Sequence, residues 1–290
     1  MRKVREYLRW MESDFDRAGV DGPTYVARDL MAHALGCSRP EVLIRADDEL
    51  TMAQQHRLER MAALAQAGEP IQYVIGEVDF REVTLKVDRR ALIPRPETEL
   101  LVGEVMAAEQ AKGLPDLFDR PSIVDVGTGS GCIVISLAKE FPSGIYTAVD
   151  VSEDALALAQ ENAELNHVKD RIRWSHSSLL DGFDPESMDF VVSNPPYITT
   201  DVCGQLDRAV REFEPMSALD GGADGLILIR TLVEQAKSVL VPGGWIMMEM
   251  GYDQGPALKE LLESQGYEEV QIKKDLAGLD RMALGRNPQV

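Results

Sequence analysis

A planar nitrogen is held best by a rigid pair of acceptors, and the segment Asn194-Pro195-Pro196-Tyr197 can supply one. Its two prolines remove two backbone N–H donors and stiffen the chain, while the carbonyls of Asn194 and Pro195 stay available as acceptors. An NH2 group can donate one hydrogen to the Asn194 side-chain oxygen and the other to the Pro195 carbonyl, with Tyr197 packed on its flat conjugated plane. The chemistry suited to that set is reaction at a planar amine or amide. Taken alone, the tetrapeptide is equally a strand-terminating loop, so its weight depends on its company.

That company begins with Asp125-Val126-Gly127-Thr128-Gly129-Ser130-Gly131-Cys132, followed by the helical run Ile133 to Lys139. Glycines at every second position let a ligand approach the backbone, and the helix start aims N–H groups at it. The spacing G-x-G-x-G is not the dinucleotide fingerprint G-x-G-x-x-G, and no Gly-Lys-Ser/Thr follows to make a phosphate loop. Asp150 closes the next apolar strand about 20 residues on, where a carboxylate accepts both hydroxyls of a ribose.

These residues need a scaffold that brings strand ends together. From residue 95 onward apolar strands alternate with helical patterns, as in a parallel sheet with crossover helices. The strands are read at Ser122–Val126, Ile145–Val149, Ile172–Trp174, Phe190–Val192 and Trp245–Glu249, with Val270–Ile272 and Arg281–Leu284 as a closing antiparallel pair. Asn194 then stands at the carboxyl end of the fourth strand, where open α/β sheets bind ligands. Residues 1–70 read as a helical domain: Val4, Leu8, Met11 and Phe15 recur at helical spacing, Pro23 and Pro40 suit first turns, and Thr51 with Gln54 makes a capping box. Residues 71–94 read as a β-hairpin linker, with Val78, Phe80, Val83, Leu85 and Val87 in strand-like runs after Gly76. Residues 95–290 read as the α/β domain that carries the glycine turn, Asp150 and the tetrapeptide.

Composition agrees with two ordered domains. Hydrophobic residues make up 44% and charged residues 27% of 290, ordinary globular usage that excludes disordered and fibrous classes. Thirty Lys and Arg against 49 Asp and Glu leave a net charge of −19, which opposes unselective binding to nucleic-acid phosphates. No apolar run approaches the roughly 18 residues of a membrane span, and the N-terminus lacks the apolar stretch of a secretory signal, so a cytoplasmic protein is expected. Cys37, Cys132 and Cys203 are too few and too widely spaced for a disulfide framework or a zinc ribbon; no metal is expected, and the chain is expected to act as a monomer. His33, His56, His167 and His176 are assigned no catalytic role.

The glycine turn, Asp150 and Asn194-Pro195-Pro196-Tyr197 together resemble class I S-adenosylmethionine-dependent methyltransferases acting on planar nitrogen, which include adenine N6 and glutamine N5 enzymes. Further segments are similar to the release factor glutamine methyltransferases, the HemK/PrmC family. These are Pro70-Ile71-Gln72-Tyr73-Val74-Ile75-Gly76, Leu92-Ile93-Pro94-Arg95-Pro96-Glu97-Thr98-Glu99, and Phe213-Glu214-Pro215 with Ala218-Leu219, Gly221-Gly222 and Asp224-Gly225-Leu226. The resemblance runs from the helical N-terminus to Gly285-Arg286. It implies a Rossmann-like α/β sheet, a helical domain that grips a class I peptide chain release factor, and methylation of N5 of the glutamine in that factor's Gly-Gly-Gln loop. It further implies that Gly127, Thr128, Gly129, Ser130, Gly131 and Asp150 hold S-adenosylmethionine, and that Asn194 to Tyr197 hold the glutamine amide, with Asn194 beside the cofactor.

One stretch departs from the family pattern. Where many relatives carry an acidic residue beside the adenine, this chain has Ser177-Ser178-Leu179-Leu180; Ser178 is expected to bond the adenine amino group, and Leu179 is either an adenine contact or core. Arg95 belongs either near the cofactor mouth or in an ion pair with Glu97 or Glu99. Two other activities use similar parts. Adenine N6 methylation would apply the tetrapeptide to a flipped base, but the charge and the lack of a basic segment oppose it. A non-catalytic nucleoside-binding module has no use for two acceptors poised beyond the cofactor.

Overall fold

The computed structural model describes residues 2–111 and 120–289. Contacts within it define two units, Met1–Glu77 with Asp207–Phe213, and Val78–Leu206 with Glu214–Val290.

The first unit is helical: α1 (Val4–Ala18), α2 (Pro23–Leu35), α3 (Arg39–Ile44), α4 (Met52–Gln66), α5 (Ile71–Ile75) and the short helix Arg208–Phe213. Val4, Leu8, Met11 and Phe15 all point from α1 into the core, as their spacing requires. Thr51 starts α4 as a capping box, its Oγ1 accepting from Gln54 N at 3.3 Å while its own N–H donates to Gln54 Oε1 at 2.9 Å. Tyr7 is buried in α1 and its hydroxyl donates to Glu59 Oε1 on α4 at 2.8 Å.

In the second unit a hairpin of β1 (Glu77–Phe80, whose first residue belongs to the helical unit) and β2 (Val83–Lys86) precedes α6 (Thr98–Ala111). There follow β3 (Ser122–Val126), α7 (Cys132–Glu140), β4 (Ile145–Asp150), α8 (Glu153–Leu165), β5 (Ile172–His176), β6 (Met188–Ser193), α9 (Ile227–Val239), β7 (Leu240–Glu249), α10 (Gly255–Ser264), β8 (Glu268–Lys274) and β9 (Asp280–Arg286). Among the described residues seven strands form one sheet in the order β5-β4-β3-β6-β7-β9-β8. All pairs are parallel except β7 with β9 and β8 with β9, the antiparallel closure anticipated from Val270–Ile272 and Arg281–Leu284. Strand β7 starts at Leu240, earlier than its apolar run at Trp245, because Pro242-Gly243-Gly244 is carried within it.

Alternation along the strands feeds two cores. Ile123, Ala148, Val192 and Met247 pack with α6, α7 and the hairpin on one face, while Val124, Val126, Val191 and Ile246 pack with α9 and α10 on the other. A parallel sheet buried on both faces needs near-continuous apolar strands, which is what the sequence supplies. Strand order reverses at β3, so the crevice at the carboxyl ends lies beside β3 and β6.

Candidate active site

Pairing register decides which residues meet at that crevice. Val149 of β4 pairs with Val126 of β3, Val126 with Ser193 of β6, and Ser193 with Met248 of β7. One residue further along each strand therefore stand, in a row, Asp150, Gly127, Asn194 and Glu249. Residues scattered over more than a hundred positions become neighbours because four parallel strands end level.

The glycine turn bends sharply over this edge. Gly127 N and Thr128 N both donate to Val149 O, at 2.8 and 2.9 Å, and Gly129 N donates to Asp150 Oδ2 at 2.9 Å. Gly127 takes φ +71°, a left-handed conformation that side chains disfavour, and a Cβ built there meets nothing within 4 Å, so the backbone faces open space. Gly131 differs: at φ +83° a Cβ would lie 2.7 Å from Ile135 Cδ1 and 3.2 Å from Ala159 Cβ, so this glycine serves packing of α7 against α8. Asn162 on α8, fully buried, donates from Nδ2 to Ser130 O at 2.9 Å and to Lys86 O at 3.0 Å, holding the turn to the hairpin.

A cavity of about 300 Å3 opens here, a size suited to a small ligand. Gly127, Thr128, Gly129, Ser130, Asp150, Ser178, Leu179, Asn194 and Pro196 line it; Gly131, Pro195 and Tyr197 do not. Pro195 is buried, and Tyr197 is partly buried against the core with its hydroxyl donating to Glu249 Oε1 at 3.1 Å. The Tyr197 ring is thus a brace of the loop rather than part of the wall. Leu179 both lines the cavity and packs on the core, at φ +49°, in a turn fixed by Leu180 N donating to Gln235 Oε1 at 2.9 Å. Arg95 reaches the cavity and pairs with Glu214, Nη2 to Oε1 at 2.6 Å, not with Glu97 or Glu99. Glu214 is buried and also accepts from Ile93 N at 3.1 Å, so one carboxylate fastens the Ile93-Pro94-Arg95 run to the segment before Pro215. Glu99 is engaged elsewhere, accepting from Arg81 N at 3.3 Å.

Two buried carboxylates that were not singled out from the sequence hold the site from below. Asp125 accepts from Thr128 Oγ1 at 2.7 Å and Val134 N at 3.3 Å, leaves Oδ1 without a partner among the described residues, and is pushed up to about 7 by burial. Glu249 accepts from Thr98 Oγ1 at 2.6 Å, and burial pushes it upward too. Thr98 Oγ1 in turn accepts from Asn194 Nδ2 at 3.1 Å. The rule that drew attention to Asn194, a polar residue at the carboxyl end of an apolar strand, applies equally to Glu249 after Ile246-Met247-Met248. Cys132 lines the cavity, but burial lifts its thiol to about 12, which removes thiolate chemistry at neutral pH. A larger hollow of about 510 Å3 in the helical unit, bordered by His33, His56, Arg57 and Arg60, has neither glycine turn nor strand-end acceptors.

Two family models match the chain. Residues 6–76 match the PrmC N-terminal domain and residues 104–211 the Methyltransferase small domain. The release factor glutamine methyltransferase of Caulobacter vibrioides is 39% identical over 272 residues, spanning 93% of this chain and 92% of that protein. The chain belongs to the release factor glutamine methyltransferase family. A second member, from Rhodopirellula baltica, is 38% identical over 283 residues, 96% of this chain and 94% of that one. A methyltransferase from Pyrococcus furiosus shares the fold, with a TM-score of 0.52 and 19% identity over 82% of this chain and 100% of that one.

Family membership makes the chain an S-adenosylmethionine-dependent methyltransferase, and the cavity fits that donor. The open space at Gly127, the Asp150 carboxylate on the wall and apolar side chains such as Leu92, Leu179 and Leu228 offer a backbone cradle, a hydroxyl acceptor and a surface for a flat ring.

Proposed function

We propose that this chain methylates N5 of the glutamine in the Gly-Gly-Gln loop of a peptide chain release factor, in the cytoplasm and as a monomer. The observation that carries the reading is the level row at the sheet edge, which brings Asp150, Gly127 and Asn194 onto one cavity wall. The relatives named as release factor glutamine methyltransferases supply the target.

In this reading Gly127, Thr128, Gly129, Ser130 and Gly131 form the turn that receives the donor, Asp150 takes the ribose hydroxyls, and Ser178 with Leu179 border the adenine. Bound S-adenosylmethionine supplies an electrophilic methyl group on a sulfonium. An amide nitrogen is a poor nucleophile because its lone pair is delocalised into the carbonyl, so orientation must supply much of the rate. The Asn194 oxygen and the Pro195 carbonyl accept the two amide hydrogens, and both bonds strengthen as the nitrogen becomes positive. Pro196 stiffens the loop and Tyr197 braces it through Glu249. After methyl transfer, which would leave the donor as a neutral thioether, the positive amide nitrogen gives its proton to solvent, so no general base is required. The helical unit grips the body of the release factor, because a glutamine at a loop tip has too few atoms to identify its owner. The net charge of −19 speeds encounter with a factor that must approach ribosomal RNA.

The test is incubation of the full chain with labelled S-adenosylmethionine and a purified release factor, followed by mass mapping of the modified residue. One added methyl group on the Gly-Gly-Gln glutamine is expected. Label on adenine of added nucleic acid, or no transfer to any acceptor, would overturn the reading.

A further inference from the structure

An asparagine side chain can be an acceptor or a donor at a given spot, depending on which way its amide is turned. An acceptor toward the substrate is what the proposed reaction needs, and the difference between the two orientations is a half-turn of one bond. We propose that Thr98 and Glu249 are positioning residues that lock the Asn194 amide with its oxygen toward the cavity; this rests on the glutamine methyltransferase reading above.

The lock follows from hydrogen-bond direction. An ionised carboxylate only accepts, so both hydroxyls that touch Glu249, Thr98 Oγ1 at 2.6 Å and Tyr197 Oη at 3.1 Å, must donate to it. Thr98 has one hydroxyl hydrogen, and Glu249 takes it. Toward Asn194, 3.1 Å away, the Thr98 oxygen can then only accept, so the amide end facing it must be NH2. The Asn194 oxygen is left for the cavity that this residue lines. Thr98 and Glu249 are both about 1% exposed, so water cannot stand in for either partner. Burial pushes the Glu249 acid upward, and the Thr98 and Tyr197 hydroxyls and the Arg281 guanidinium, itself paired with Asp275 at 3.2 Å, oppose that rise by favouring the ionised form that the lock requires. Orientation is therefore transmitted from a charge at the end of β7, through the first residue of α6, to the loop after β6.

The prediction is specific to the hydroxyl. Thr98→Val keeps the shape and removes the relay, so kcat should fall at least about tenfold, while KM and cofactor Kd stay within about twofold. Thr98→Ser restores the hydroxyl and should restore kcat, which a purely structural role for the methyl group would not produce. Glu249→Gln gives the relay a donor at one end, so the direction is no longer forced; kcat should fall by at least about tenfold here too. A second readout needs no substrate: exchange of the Asn194 side-chain amide hydrogens, followed by NMR, should be slow in the parent and in Thr98→Ser and fast in Thr98→Val. Should Thr98→Val fail to fold, Glu249→Gln decides. Normal kcat in either variant, failure of Thr98→Ser to recover it, or amide exchange unaffected by Thr98→Val would overturn the lock. If the parent chain methylates no glutamine, the functional reading falls, and the exchange measurement still decides the orientation.

Discussion

The two sides of the cavity are held in different ways. On the β3–β4 side the bonds that shape the turn are close in sequence: Thr128 to Asp125 is three residues apart, and Gly129 to Asp150 is 21. On the β6–β7 side Asn194 depends on Thr98, 96 residues away, and Thr98 on Glu249, 151 residues away. A cofactor shared by many chemistries can be met by a compact turn. Control of one amide's direction needs groups from three elements, because no short loop can supply a carboxylate, a hydroxyl and an amide in line.

That contrast separates binding from rate. Asn194→Ala should lower methyl transfer by at least about a hundredfold, the loss of one acceptor that acts in the transition state, and should change cofactor affinity far less. Single-turnover rates and calorimetric titration of the same protein measure both. Near-normal turnover would show that the β6–β7 side does not carry the chemistry. Asp150→Ala should do the reverse, weakening cofactor binding by about 1.5 to 3 kcal/mol, the range for hydrogen bonds to a charged acceptor. Unchanged affinity would mean that the carboxylate serves only Gly129 N and Ser152 N, which it already accepts at 2.9 Å each.

The same contrast explains what could be read from sequence. The apolar strands, the glycine turn and the Asn-Pro-Pro-Tyr loop announce themselves because periodicity and special backbone residues act locally. Helix α1 places Val4, Leu8, Met11 and Phe15 inward as expected. The partner of Arg95 did not announce itself: Glu97 and Glu99 are near in sequence, but Glu214, 119 residues on, is brought to it by the fold. Glu249 sat at the end of a strand read mainly for its apolar residues, and Thr98 in a segment noted only for family likeness. Neither is visible as a pair until β6 and β7 are laid side by side. Tyr197 stands out with the tetrapeptide, but its bond to Glu249 Oε1, 52 residues on, becomes visible only in the fold.

Within the turn itself two glycines offer a finer test. Both Gly127 and Gly131 hold positive φ, so replacement of either by Ala should cost about 1 to 2 kcal/mol of stability. Only at Gly127 does the added methyl project into open space, so Gly127→Ala should also weaken the cofactor, whereas Gly131→Ala should spend its effect on packing against Ala159. Thermal midpoints and binding measured on both proteins would separate them, and equal loss of binding at the two positions would contradict the assignment of Gly131 to packing.

The smallest expected effect is a pH dependence set by Asp125 beneath the turn. Burial lifts this acid from 3.8 to about 7, against the opposing bonds from Thr128 and Val134, and the Asp150 charge adds to the rise. A folded-state value above the unfolded one means that the native protein holds the proton more tightly. The stability this contributes is complete below about pH 4 and is lost as pH climbs through about 7. From about pH 6 to about pH 8 the loss should be on the order of 1 kcal/mol. Asp125→Asn carries no titrating proton but keeps the shape that meets Thr128 Oγ1, so its denaturant midpoint should slope less with pH over that window. Glu249, also lifted by burial, tilts both proteins in the same direction, and the difference between them therefore isolates Asp125. Parallel slopes for the two proteins would mean that Asp125 is already ionised in the fold, and that its unpartnered Oδ1 has found a donor at the cofactor side of the turn.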